Sequence, residues 1–243
     1  MTDRFSPLAR AYAAFRPAYP ASFIAALAAL APGRTLAWDC ATGNGQAALQ
    51  LAEHFDRVLA TDVSRGQLSL AASHPRVTYR AAGEDAPGAA DASVDLVTVA
   101  QALHWLDARR FFGEVRRVLK PAGVIAVWCY GRVEIAPAID AVMDRFEETI
   151  ERFRAPELEL MRDGYRGVDL PFAEIAAGEW SMSERMTREQ FLGFVGSWSA
   201  VAGARAGLQS DPLEELGAGL RARWADHESR LVSWPIAVRA GRA

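Results

Sequence analysis

The chain predicts a three-layer α/β sandwich, with a mostly parallel sheet of seven strands and a helical insertion after the fifth strand. Two observations predict it. From residue 35 to 131, short apolar runs alternate with amphipathic runs over short connections. Parallel strands need crossover connections, which carry helices onto both faces of the sheet. A glycine-containing loop also leads straight from the first apolar run into a helical one, at the carboxyl end of a strand, where open sheets of this kind bind ligands.

The elements follow in chain order. "ASFIAALAAL" (21 to 30) is helix-forming and stops at Pro32-Gly33. "TLAWDC" (35 to 40) is the first strand, and "QAALQLAEHF" (46 to 55) repeats Leu49, Ala52 and Phe55 at helical spacing. "RVLATD" (57 to 62) is the second strand, followed by a helix over 64 to 73 that Ser64 caps. Strands three and four are 76 to 81 and 93 to 100. A helix over 108 to 123 ends at Pro121 and Gly123, and "VIAVWCY" (124 to 130) is strand five. Beyond it, 137 to 153 is a long amphipathic helix with Ile139, Val142, Met143, Phe146 and Ile150 on one side. Residues 172 to 182 form a sixth strand. A helix over 187 to 198 carries Thr187 and Gln190 in capping-box positions, and one over 211 to 228 has Pro212 at its first position. The last strand, 230 to 241, contains Pro235, which suggests an edge or a bulge. The segment 154 to 171 has no clear period. The organisation is one domain over 1 to 243, with an N-terminal arm and helix (1 to 34), a ligand-binding core (35 to 131) and a second-substrate side (132 to 243).

Composition bounds the function. With 243 residues and 51% hydrophobic content the chain can bury a large core. A net charge of -3 argues against nucleic acid or an anionic membrane as the main partner. The N-terminus has no long apolar run, so a cytoplasmic location is expected. Cys40 and Cys129 each fall in a strand-like run and read as buried thiols. The 4 histidines are scattered without ligand spacing, so no metal site is expected.

Chemistry concentrates in "DCATGNGQAALQLAEHF" (39 to 55). Gly43 and Gly45 permit a sharp turn and leave the backbone open to a ligand, at a helix start whose free N–H groups suit a phosphate or a carboxylate. A tight turn with no ligand is the alternative. Asp62 ends the second strand, where an acid can accept hydrogen bonds from both hydroxyls of a ribose; taken alone it is equally a helix cap. Together they point to a nucleoside. Asp39 then discriminates, because a carboxylate beside the loop opposes a pyrophosphate but suits the ammonium of an amino-acid tail.

The segment from 36 to 131 resembles the class I S-adenosylmethionine-dependent methyltransferases, in particular the methyltransferase type 11 group. Asp39-x-x-x-Gly43-x-Gly45 is similar to the family's first motif, and "ASVDLVTVAQALHWLDARRFFGEVRRVLKPAGVIAV" (92 to 127) to its fourth strand, site-lining turn, helix and "LKPGG" turn. The resemblance implies a Rossmann-like fold and S-adenosyl-L-methionine as cofactor. It places Asp39, Ala41, Thr42, Gly43, Asn44 and Gly45 at the amino-acid tail, Asp62 and Val63 at the ribose, Glu84 and Asp85 at the adenine, and Gln101 and Ala102 beside the reacting centre. The family has glycine where Ala41 stands, so negative φ is expected there. "YAAFRPAYP" (12 to 20) resembles the arm of enzymes related to trans-aconitate methyltransferase, which implies Tyr12 and Arg16 near the cofactor; a surface arm packed by its own aromatics is the alternative.

His104 is the polar residue most suited to orient an acceptor or take its proton, an ordinary hydrogen-bonded histidine being the equal alternative. The acceptor is expected to be a small molecule bearing a carboxylate or hydroxyl, held by Tyr130 to Arg132 and the insertion, with Arg132, Arg185 and Arg205 as candidate partners for an acidic group. Two other functions stay open: a nicotinamide-dependent oxidoreductase, against which stands the absence of a Tyr-x-x-x-Lys pair, and a non-catalytic nucleoside-binding module.

Overall fold

A computed structural model describes residues 17–243. The expected helix at the start is α1 (Ala21–Leu30), which buries Phe23, Ile24, Leu27 and Ala28. It leads to β1 (Leu36–Cys40), α2 (Gln46–Leu51), β2 (Arg57–Asp62), α3 (Arg65–Leu68), β3 (Val77–Ala81) and β4 (Val94–Ala100). Then come α4 (Ala108–Val118), β5 (Leu119–Tyr130), α5 (Pro137–Ile150), α6 (Glu159–Arg162), β6 (Ala173–Ile175), β7 (Trp180–Thr187), α7 (Arg188–Gly196), α8 (Ser199–Gly207), α9 (Pro212–Arg221) and β8 (Ser229–Arg242).

The described residues form an 8-stranded sheet in the order β3-β2-β1-β4-β5-β8-β6, with β7 also on β8. The first five strands pair in parallel, and β8 runs antiparallel to β5, β6 and β7. Two apolar layers cover the sheet, and the period of two along β5 separates them. Val124, Ala126, Trp128 and Tyr130 enter the layer shared with α1, α2 and the insertion, while Ile125, Val127 and Cys129 enter that of Phe111, Phe112 and Val115 on α4. Both cysteines are buried free thiols.

Several boundaries differ from expectation for local reasons. The residue before a proline is disfavoured in the α region, so α4 stops at Val118 ahead of Lys120-Pro121. The turn, with Ala122 at φ +62°, is a bulge at the start of β5, where pairing jumps from Val94–Leu119 to Leu96–Val124. Residues 172 to 182 form two strands rather than one, broken near Gly178 at φ +79°; β6 and β7 follow each other along the same edge of β8. The helix expected over 64 to 73 shrinks to α3, although Ser64 does cap it, accepting from Gln67 N–H at 3.2 Å. Pro235 lies inside the sheet, pairing with Ser181 of β7. Its carbonyl accepts from Gly131 N–H just beyond the end of β5, so its missing N–H falls where that ladder has ended. Helix α8 has no expected counterpart, because its Ala- and Gly-rich sequence carries little apolar pattern; it buries Ala200, Val201 and Ala204. The capping box of Thr187 and Gln190 is formed as expected. No helix among the described residues is long and apolar enough to cross a membrane.

Candidate active site

The loop after β1 is fixed from below. Thr42 N–H donates to Thr61 O at 2.9 Å, Gly45 N–H to Thr42 O at 3.0 Å, and the Thr42 hydroxyl to Asp39 Oδ2 at 2.5 Å. Thr98 on β4 donates to the other oxygen of Asp39 at 2.7 Å. The Asp39 carboxyl is fully buried, and burial pushes its pKa up to about 6 against the two hydroxyl bonds that lower it.

Asp62, at the tip of β2, accepts from Gly43 N–H and Ser64 N–H, both at 2.8 Å. It thereby ties the glycine loop to the start of α3.

Ala41 adopts φ +54°, not the negative value expected for a residue with a side chain. The three bonds around Thr42 over-determine the turn, so the methyl group is carried in the left-handed region at a cost of about 1 to 2 kcal/mol. Gly45 also has a reason the sequence did not reveal. At φ +86° a Cβ would sit 2.4 Å from the Tyr79 hydroxyl, so glycine leaves the room in which Tyr79 packs.

A cavity of about 500 Å³ opens at the carboxyl ends of the strands, where the architecture places it. Ala41, Thr42, Gly43, Asn44, Asp62, Gln101, Ala102 and His104 all line it. Gln101 has φ +57°, and its side-chain oxygen accepts from Tyr130 N–H at 2.9 Å, closing the end of β5 onto β4. The remaining expected residues are elsewhere. Asp39 lies behind the wall, which corrects the expectation that its carboxylate faces the cleft: two hydroxyls hold it under the loop. Gly45 and Val63 are off the wall. Glu84 is buried and accepts from Asp107 N–H at 3.3 Å, and Asp85 is exposed and pairs with Arg110 at 3.5 Å, so neither faces the cavity. Tyr12 and Arg16 lie outside the described residues. No group of acids, histidines and cysteines among the described residues is arranged to hold a metal.

His104 sits in a 3₁₀ turn (Leu103–Trp105) after β4, with its Nδ1 2.8 Å from the Tyr165 hydroxyl. Burial lowers its pKa to about 4 even though Glu157 opposes the shift, so the ring is neutral near pH 7.

Beyond His104 the wall is aromatic and basic, with Tyr19, Trp105, Tyr130, Phe194, Trp198 and Trp234 beside Arg132, Arg154 and Arg162. Of the three arginines expected to hold an acidic acceptor, only Arg132 is there. Arg185 reaches the Ser229 carbonyl at 3.3 Å and Arg205 pairs with Asp211 at 2.9 Å, both off the wall. Arg154, which lines the cavity with its partner Glu147 at 2.6 Å, and Arg162 come from the segment without sequence period. Short 3₁₀ turns there (Glu151–Phe153, Pro156–Leu158) offer no repeating signal to read.

Residues 38–127 match the family model described as a methyltransferase domain. A Dictyostelium discoideum protein named as a methyltransferase is 30% identical over 96% of this chain and 92% of its own length. The chain belongs to the S-adenosylmethionine-dependent methyltransferases. A solved structure from Anaeromyxobacter dehalogenans, described as a type II methyltransferase, superposes with a TM-score of 0.89 at 44% identity, covering 94% of this chain and 98% of that one. A malonyl-[acyl-carrier protein] O-methyltransferase of Methylovorus is 28% identical over 75% of this chain and 66% of its own length.

The cofactor of this methyltransferase is S-adenosylmethionine, and the residues present fit it. The Asp62 carboxylate lines the wall, where it would accept from ribose hydroxyls, and a Cβ on Gly43 would meet nothing within 4 Å, leaving the loop backbone open to the cavity. Gln67, missed by the sequence reading, lines the same wall with its side-chain oxygen buried and without a hydrogen-bond partner among the described residues. An unpaired buried acceptor of this kind is costly unless a ligand donor meets it.

Proposed function

We propose that this methyltransferase acts on a small-molecule acceptor carrying a carboxylate or hydroxyl. The observation that carries the reading is the continuity of the cavity, which joins the Thr42–Asn44 loop and Asp62 to His104, Trp105, Arg132 and Arg154 without a dividing wall. When bound, the cofactor would supply a methyl group already activated on a sulfonium, with a neutral thioether as its leaving group. The chain's own task is to hold the reactants in line and keep water out. Asp62 would hold the ribose, the loop Ala41–Asn44 would hold the amino-acid tail, and Tyr19, Tyr130 and Trp105 would shield the reacting centre from solvent. Arg132, ion-paired with Asp144 at 2.5 Å, and Arg154, ion-paired with Glu147 at 2.6 Å, would turn their remaining donors to an acidic acceptor. His104, neutral by burial, orients the accepting atom.

Calorimetric titration with S-adenosylhomocysteine and, separately, with NAD tests the reading. Binding of the first and not the second is expected, with Asp62→Ala weakening it by about 1 to 3 kcal/mol through loss of charge-assisted hydrogen bonds. Release of S-adenosylhomocysteine on incubating the protein with S-adenosylmethionine and pooled small acids and alcohols is the matching activity assay. No release from any pool, with the cofactor bound, would leave a binding module and overturn the acceptor reading.

A further inference from the structure

Tyr165 is fully buried, yet its backbone adopts φ +65°, directly after Gly164 at φ +68°. A bulky residue in the left-handed region costs about 1 to 2 kcal/mol, and such strain persists only where surrounding contacts enforce it. They do so here. Tyr165 N–H donates to Leu160 O at 3.0 Å, and Arg239 of β8 donates to the carbonyls of Tyr165 and Val168. Gly164 cannot be exchanged for a residue with a side chain, because a Cβ there would lie 2.5 Å from that of Ala237. This paired left-handed turn delivers one polar atom to the site: the Tyr165 hydroxyl, 2.8 Å from His104 Nδ1, with the two rings stacked at 26°.

Tyr165 does not line the cavity, whereas His104 does. Nδ1 therefore faces away from the reactants, and Nε2 is the ring nitrogen left without a protein partner among the described residues. Which nitrogen carries the proton depends on the direction of the Tyr165 bond. A phenol O–H is a stronger acid than the N–H of a neutral imidazole, and an imidazole lone pair is a better acceptor than a phenol oxygen. The hydroxyl thus donates and Nδ1 accepts.

We propose that Tyr165 is a positioning residue that holds His104 as its Nε2–H tautomer, so that the ring presents the methyl acceptor with a hydrogen-bond donor and not with a base. This rests on the acceptor site described above and narrows it. A donor at that place suits an acceptor atom that already bears a free lone pair and a negative charge, an oxyanion, and does nothing to remove a proton from an alcohol or an amine. The charged groups around the ring agree: Glu157 is the acid that favours an imidazolium, and burial outweighs it, so the ring stays neutral with a weakly basic lone pair already used by Tyr165.

The test is the protonation pattern of His104 by long-range ¹H–¹⁵N correlation NMR of the full chain labelled at histidine, alone and with S-adenosylhomocysteine, the resonance being assigned by its loss in His104→Asn. The expected result is an unprotonated Nδ1 and a protonated Nε2 in the unaltered protein. In Tyr165→Phe the two tautomers are expected to mix, moving both nitrogen shifts toward each other. A protonated Nδ1 in the unaltered protein, or shifts unchanged in the Phe variant, overturns the proposal. The unaltered spectrum decides the direction alone, so a Phe variant that fails to fold leaves the test standing. Failure of S-adenosylhomocysteine to bind by calorimetry would instead sink the functional reading, with the tautomer still determined in the free protein.

Discussion

Thr98 of β4 donates its hydroxyl to Asp39 of β1 at 2.7 Å, so the acid at the tip of the leading strand is held by the neighbouring strand beneath the cofactor loop. Its titration is predicted to oppose that of His104. For Asp39 the folded pKa, about 6, exceeds the ordinary 3.8, so the native state holds the extra proton between them and stability falls as pH rises through that window. For His104 the folded pKa, about 4, is below the ordinary 6.5, so stability rises with pH from about 4 to 6.5. Each amounts to about 3 kcal/mol at 1.36 kcal/mol per pH unit. Urea melts from pH 4 to 7 should therefore show little slope from these two groups in the unaltered protein, a rise with pH in Asp39→Asn and a fall in His104→Gln. Parallel slopes in the two variants would refute the assignment.

Ala41→Gly is predicted to stabilise the protein. The alanine sits at φ +54° in a turn that three bonds through Thr42 keep left-handed. Relief of the Cβ clash is worth about 1 to 2 kcal/mol, offset in part by the freer unfolded glycine. A melting temperature higher by about 2 °C is expected by calorimetry; a lower one would mean that the methyl group packs usefully against the cavity wall.

Most of the fold was legible because its signals are local. Short continuous apolar runs and short connections mark β1 to β5, Ser64 and Thr187 mark helix starts that their side chains do cap, and Pro212 marks one that it opens. The loop Ala41–Asn44 and Asp62 were legible as a site for the same reason, as each is tied to the carboxyl end of a strand. What escaped depends on tertiary contact. Nothing in the local sequence tells that Thr42 and Thr98 turn Asp39 inward, that Tyr79 claims the space above Gly45, or that Arg239 forces Tyr165 against His104. The basic part of the wall escaped because Arg154 and Arg162 stand in or beside short turns with no period to follow.

Gly45→Ala should be among the most damaging single changes to the loop. It adds a left-handed strain and sets a Cβ 2.4 Å from the Tyr79 hydroxyl, itself buried without a hydrogen-bond partner among the described residues. A loss of about 2 to 3 kcal/mol in denaturant melts is expected. Because Cε1 and Cζ of the Tyr79 ring would lie at 2.8 and 2.9 Å from that Cβ as well, Gly45→Ala should cost less in a Tyr79→Ala background than in the unaltered protein, and an equal cost would place the strain in the backbone alone.

The sole lysine supports the fold. Lys120 Nζ is 2.8 Å from Asp95 Oδ1, while Asp95 Oδ2 accepts from the N–H groups of Thr35 and Leu36 at 3.0 Å each, so one buried carboxylate gathers β4, the bulge of β5 and the entry to β1. Removing the ammonium leaves that carboxylate 1% exposed and without its cation, a change that costs about 3 to 5 kcal/mol for a buried pair. The lysine is itself 30% exposed and two backbone donors remain, so a value near 3 kcal/mol is expected for Lys120→Met. The double variant Lys120→Met, Asp95→Leu should be less destabilised than the sum of the single changes. Additive losses in urea melts would show that the two groups do not interact across the 2.8 Å that separates them.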